Sequence, residues 1–161
     1  MLVVCARAHG LIANVTRWVG FGEPSAEESD LEEAILHVEA DVFDALVPGR
    51  PLREILPVLK ASYPRWGFDA EEWTRHHQGG AAGYVGRDPR LTPDVEGTIA
   101  NGQAFTWNPS AYSAASGIAV KTEDTVVFNS ESEQSVEALT TDESWPTVTV
   151  GGRSRPCTLH L

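Results

Sequence analysis

The sequence predicts an α+β domain. Three observations carry this. Two strand-like runs meet at His9-Gly10, two helical stretches follow, and short β-rich stretches separated by Asn, Gly, Pro and Ser fill the rest. That order places the helices on one face of an antiparallel sheet. The 161 residues make one domain, 1–161, long enough to bury a core without staples.

Taken in order, residues 2–8 and 11–19 read as a hairpin, and 20–30 as an acidic loop. Ser29 stands three before Glu32, a capping-box spacing that predicts a helix start. Leu31, Ile35, Val38, Val42 and Leu46 then recur at helical spacing over 30–47, until Pro48-Gly49 stops the run. Pro51 opens a second helix through 52–63, in which Pro57 predicts a kink. A short helical piece over 70–75 precedes the glycine-rich stretch 79–86. Strands are predicted over 97–100, 104–108, 117–122, 125–129, 147–150 and 157–161.

Lys plus Arg number 12 against 23 Asp plus Glu, a net charge of −11. This argues against nucleic-acid partners and anionic membrane surfaces, both of which need clustered cations. The acidic run 23–33 reads as a solvated loop and helix N-terminus. No apolar run approaches the ~18 residues of a spanning helix, and the opening MLVVCARAHG is too quickly polar for a signal peptide. Cys5 and Cys157 form no Cys-x-x-Cys pair. They read as buried reduced thiols of a cytoplasmic protein.

Three stretches, in order, resemble the pita-bread metallopeptidases: methionine aminopeptidase, aminopeptidase P, prolidase and creatinase. Gly10-Leu11-Ile12-Ala13-Asn14-Val15-Thr16-Arg17 is similar to that family's Gly-Tyr-x-x-Asp-x-Thr-Arg. His76-His77-Gln78-Gly79-Gly80, continuing to Arg87-Asp88, resembles its His-Gly-x-x-His-x-x-Gly-x-x-x-His-Glu segment. The run 102–110 and the run 120–127 resemble Gly-Met-x-x-Thr-x-Glu-Pro-Gly and Arg-x-Glu-Asp-x-Val-x-Val. The resemblance extends to about Asn129 and implies a pita-bread fold. It also implies that the helix pair and strand ahead of the hairpin are missing at the N-terminus. A homodimer or a complementing subunit is the partner that this predicts.

The resemblance implies a dinuclear site of two Asp, one His and two Glu. Carried over by position, those ligands fall on Val3, Asn14, Gly80, Asn108 and Glu123, and only Glu123 keeps a ligating side chain. One carboxylate does not offset the dehydration of two hard cations. The expectation is therefore no metal and no other cofactor.

The remaining polar residues at these positions are the candidate site. His76 and His77 are acid–base candidates, or loop histidines bonded to backbone. They are adjacent, so on an extended segment one faces the cleft and the other packs away. Glu123 is the third catalytic candidate, as a base or an anchor for a substrate cation, with Asp124 expected to bond to loop backbone. Gln78 beside Gly79-Gly80 allows close approach to a ligand, or marks a plain turn. Arg87 suits a substrate carboxylate, or a salt bridge to Asp88 or Glu123. Asn14 and Asn108 keep the shape of carboxylates without their charge, Lys121 shares a strand face with Glu123, and Trp107 is a candidate pocket wall.

The leading expectation is a metal-independent, creatinase-like enzyme. It would act on a small polar or amino-acid-derived substrate, at a C–N or amide bond, by His and Glu chemistry. A non-catalytic pita-bread binding or scaffold protein, acting on a peptide-like or protein partner, is the alternative. A metal-dependent Xaa-Pro-type peptidase is the reading if the carried-over register is wrong.

Overall fold

The computed structural model describes residues 1–131 and 135–161. It opens with β1 (Leu2–Ala8) and β2 (Leu11–Arg17), antiparallel about the His9-Gly10 turn. His9 takes a left-handed φ of 52° there. After β3 (Val19–Gly20) come two helices, α1 (Ala26–Asp44) and α2 (Ile55–Arg65).

Helix α1 starts one turn earlier than the Ser29–Glu32 spacing predicted. The capping box is Ser25 with Glu28, each side chain bonding the other's backbone N–H. Ser25 is extended, with φ −68° and ψ 158°, and Glu27 and Glu28 sit where the helix dipole favours negative charge. The predicted kink at Pro57 is absent for a related reason. Helix α2 begins at Ile55, behind a 3-10 turn over Leu52–Glu54, so Pro57 lies in the first turn. Its missing N–H is one that no helix bonds internally. The piece predicted over 70–75 is a single 3-10 turn, Glu72–Thr74.

A four-stranded antiparallel sheet lies at the centre, in the order β4 (Gly79–Ala81), β5 (Ala104–Trp107), β8 (Asp124–Phe128), β9 (Val136–Ala138). The smaller pairs are β6 (Ser110–Tyr112) with β7 (Ala119–Lys121), β10 (Thr147–Val150) with β11 (Arg153–Pro156), and β12 (Leu159–His160) parallel to β3. The strand predicted over 97–100 reduces to one bridge, between Pro51 and Thr98. Strand β4 lies inside the glycine-rich stretch 79–86, where no strand is predicted. Those glycines are what the strand needs: Gly79 and Gly80 have φ of 134° and 154°, and added Cβ atoms would strike the carbonyl oxygens of Thr106 and Pro89.

Ile35, Val38, Val42 and Phe43 of α1 and Leu59 and Tyr63 of α2 pack onto Phe105, Val126 and Phe128 of the sheet. Among the described residues strand β1 pairs with β2 alone, and all seven of its residues are exposed. Cys5 is among them, so the expectation of a buried thiol fails there. Cys157 is partly covered, and both are free.

A buried ion network ties the layers together. Arg155 of β11, 2% exposed, donates to Glu39 of α1 at 2.9 and 2.5 Å and to Asp124 of β8 at 2.6 Å. Arg17 of β2 reaches the other Asp124 oxygen at 2.7 Å, and the Thr140 hydroxyl donates to that oxygen at 2.6 Å. Asp124 thus bonds side chains of the core rather than the loop backbone expected for it.

Removing one member of such a network strands the others without a counter-charge, at about 3–5 kcal/mol. Arg155→Met should lower the unfolding free energy by about that much in urea denaturation. Arg65→Met breaks an exposed pair with Asp41 and should change it by less than about 0.5 kcal/mol.

Candidate functional site

Strands β2, β5 and β8 supply a neutral floor. The Asn14 backbone N–H donates to the Thr125 hydroxyl at 2.8 Å, and that hydroxyl lies 3.1 Å from both the Asn14 carbonyl and the Thr106 hydroxyl. The Asn14 side-chain amide donates to Thr106 Oγ1 at 3.4 Å and to the Gly86 carbonyl at 3.3 Å. An amide suits this position because both partners accept. A carboxylate here would face the Gly86 carbonyl oxygen.

Glu123 enters from the turn between β7 and β8, where its backbone bridges Thr16 of β2. It is 2% exposed. Its Oε1 pairs with Arg87, and its Oε2 accepts from Thr16 Oγ1 at 2.5 Å and from Lys121 Nζ at 2.9 Å. Burial pushes the carboxyl up, but the Thr16 hydroxyl and the Lys121 and Arg87 cations outweigh it and hold the pKa below the usual range. Glu123 is therefore an anion with both oxygens engaged, and of the two partners open to Arg87 it is the one taken.

His76 and His77 stack with ring centroids 4.3 Å apart. His76 is exposed, with Nδ1 2.7 Å from the His77 carbonyl and 3.3 Å from the Asn108 amide nitrogen. A carbonyl only accepts, so the shorter of the two contacts favours the proton on Nδ1 and the lone pair on Nε2. The Asn108 amide nitrogen is then a second donor facing Nδ1, and that 3.3 Å contact is no hydrogen bond. Asn108 is 1% exposed and its Oδ1 has no partner among the described residues. His77 is half-buried, with an unpartnered buried Nδ1. Burial lowers both imidazoles. Lys121 and Arg87 add to the effect on His76, while His76, Arg87 and Arg90 drive His77 down to about 4. Both rings are neutral near pH 7.

The structure brings His76, His77, Asn108, Arg87, Lys121, Glu123 and Asn14 into one polar region. Two candidates stand apart. Gln78 is buried, and its amide is spent on the Tyr63 hydroxyl and the Trp73 and His76 carbonyls. It positions the His76 segment. Trp107 is fully buried and stacks on Phe105 at 5.6 Å, beneath the region rather than walling it. Thr16, Thr106 and Thr125 were not singled out from the sequence. Their signal is the strand pairing that sets Thr16 opposite Glu123, and Thr106 between Gly80 and Thr125.

Two helices against a central antiparallel sheet, with a docked hairpin and polar side chains gathered from β2, β5, β7 and β8 and the segments beside them, define a pita-bread domain. The model of metallopeptidase family M24 matches residues 1–130, and the chain belongs to that family. It is 28% identical over 124 residues to an uncharacterised peptidase of Staphylococcus aureus, and spans 33% of that protein's length. Among solved structures, a dipeptidase from Pyrococcus horikoshii aligns over 88% of this chain and 38% of its own, at 25% identity and a TM-score of 0.72. The X-Pro aminopeptidase of Thermotoga maritima aligns over 99% of this chain and 40% of its own, at 19% and 0.73. The N-terminal domain of the FACT complex subunit SPT16 from chickpea shares the fold over 86% of this chain and 34% of its own, at 14% and 0.68.

The family name implies metal ions, and the donor set does not fit them. Val3 and Gly80 offer no side-chain donor, Asn14 is committed to the floor, and Glu123 is engaged by two cations. Among the described residues no group of three or more His, Cys, Asp and Glu is placed to hold a metal ion.

The His77 shift sets a pH dependence. The unfolded chain takes up a proton near pH 6.5, while the folded one resists until about pH 4. The unfolded state holds more protons between those values, so stability falls as pH drops through the window. Proton NMR should show His77 titrating near 4. A His77→Gln variant should lose that part of the pH slope in denaturation curves.

Proposed function

We propose that the chain carries a metal-independent hydrolytic site of the M24 fold, acting on the C–N or amide bond of a small polar or peptide-like substrate. The observation that carries it is the 2.7 Å contact between His76 Nδ1 and the His77 carbonyl, which favours the tautomer with its lone pair on Nε2. The Nδ1–H of His76 faces the His77 carbonyl, its Nε2 has no hydrogen bond among the described residues, and the ring is neutral and exposed beside Lys121 and Arg87. Nε2 accepts a proton from the attacking water and returns it to the leaving nitrogen. Arg87 and Lys121 offset negative charge developing on the attacked group. Glu123 keeps those cations in place, and Asn108 Oδ1 accepts from a substrate N–H. The protein works in a reducing compartment, the cytoplasm, where free thiols persist. The relatives described as a dipeptidase and an X-Pro aminopeptidase support amide-type substrates.

A binding role without turnover is the second reading. The full engagement of both Glu123 oxygens favours it, and the same fold occurs in a FACT complex subunit.

Xaa-Pro dipeptides, creatine and N-acyl amino acids, assayed with a chelator present, decide between them. Turnover should survive the chelator and fall about 10²–10⁴-fold in His76→Ala, with circular dichroism unchanged. Turnover that persists in His76→Ala overturns the mechanism. Saturable binding of a dipeptide with no turnover establishes the second reading.

A further inference from the structure

The Glu123 carboxylate is almost wholly buried yet faces two cations, Arg87 and Lys121, whose side chains are 12% and 13% exposed. A buried carboxylate needs compensating positive charge. The charge comes from two distant stretches of chain, the glycine-rich segment and the end of β7. The Thr16 hydroxyl, on a third strand, completes the coordination. Three separate elements therefore converge on one carboxylate, which leaves no oxygen free for an external cation.

The backbone makes a second, independent change. Gly80 stands where the resemblance places a histidine ligand. The chain beyond it folds back along β4: Ala81 N–H donates to the Pro89 carbonyl at 3.1 Å, Leu91 N–H to the Gly79 carbonyl at 2.9 Å, and Gly80 bridges Arg90. A Cβ at Gly80 would strike the Pro89 carbonyl and come within 2.8 Å of Arg90 Cα. No side chain fits there without moving that segment.

We infer that Arg87 and Lys121 are resident counter-ions of Glu123, holding inside the chain the charge that divalent ions would supply, and that the segment packed on Gly80 closes the histidine position to any side chain. Loss of metal is then a rebuilt charge arrangement rather than a vacant site awaiting its ligands. The inference holds whether or not the site turns a substrate over, because its tests read metal binding and melting rather than activity.

Cobalt(II) is the probe, since its visible absorption reports coordination. Wild-type protein should show no saturable cobalt absorption and no cobalt-dependent rise in melting temperature. Val3→Asp/Asn14→Asp/Asn108→Glu restores three carboxylates and should still bind cobalt poorly. Adding Arg87→Met/Lys121→Met to that variant should tighten cobalt binding at least about tenfold. Stoichiometric binding by the wild type, or equal affinity with and without the two cations, overturns the counter-ion assignment. Should these variants fail to fold, Glu123→Gln carries the test. It should lower the melting temperature by several degrees by stranding two partly buried cations, and an unchanged melting temperature overturns the assignment. For the backbone half, Gly80→Ala should melt far below the wild type. Gly83→Ala, with open space around it, should not. Equal melting of the two alanine variants overturns the closure.

Discussion

The structure hangs on Asp124. Its carboxylate, fully buried, takes Arg155 on one oxygen and Arg17 and Thr140 on the other, and Arg155 carries the connection on to Glu39. Four ionisable groups from β2, α1, β8 and β11 therefore share one cluster, in which burial pushes the Glu39 carboxyl up to about 7. Its value lies less in net energy than in geometry. Hydrophobic packing alone tolerates small slips between layers, whereas a buried pair off register leaves a charge unpaired. Because strand residues alternate, fixing Asp124 inward fixes its neighbour Glu123 toward the polar region. The core network and the site are thus two faces of one dipeptide.

The parts of the fold written in periodic patterns were legible in the sequence. The hairpin, both helices and the strand over 147–150 follow from spacing and from turn residues. What escaped was decided by contacts distant in sequence. Strand β4 looks like a loop because glycine is a poor strand former, and only the closeness of Thr106 and Pro89 explains why nothing larger is used. The start of α1 differs because two Ser-x-x-Glu spacings follow one another, 25–28 and 29–32, and the earlier one forms the capping box, which extends the helix by a turn. Asp124 reads as a turn residue next to Glu123, and nothing local reveals that Arg155 comes to meet it.

The site divides in the same way. The polar character of His76, Asn108, Arg87 and Lys121 is visible in the sequence, as is the scarcity of ligating side chains. Their pairing is not. That Arg87 takes Glu123 rather than Asp88, and that Gln78 spends its amide on Tyr63 and the backbone, depends on chain turns that composition does not encode. Family membership settles the fold, while the chemistry rests on a few side chains that differ from the pattern.

The uncovered edge of β1 has a consequence for handling the protein. Seven consecutive exposed residues, LVVCARA, present an unpaired row of backbone N–H and C=O groups with one charged side chain among them. Such an edge is a template for strand addition, and in concentrated solution it invites edge-to-edge aggregation. The net charge of −11 opposes this, because like-charged molecules repel before their edges meet. Solubility therefore depends on salt. High ionic strength screens the repulsion and leaves the edge unguarded, so the surplus of acid works as a colloidal safeguard.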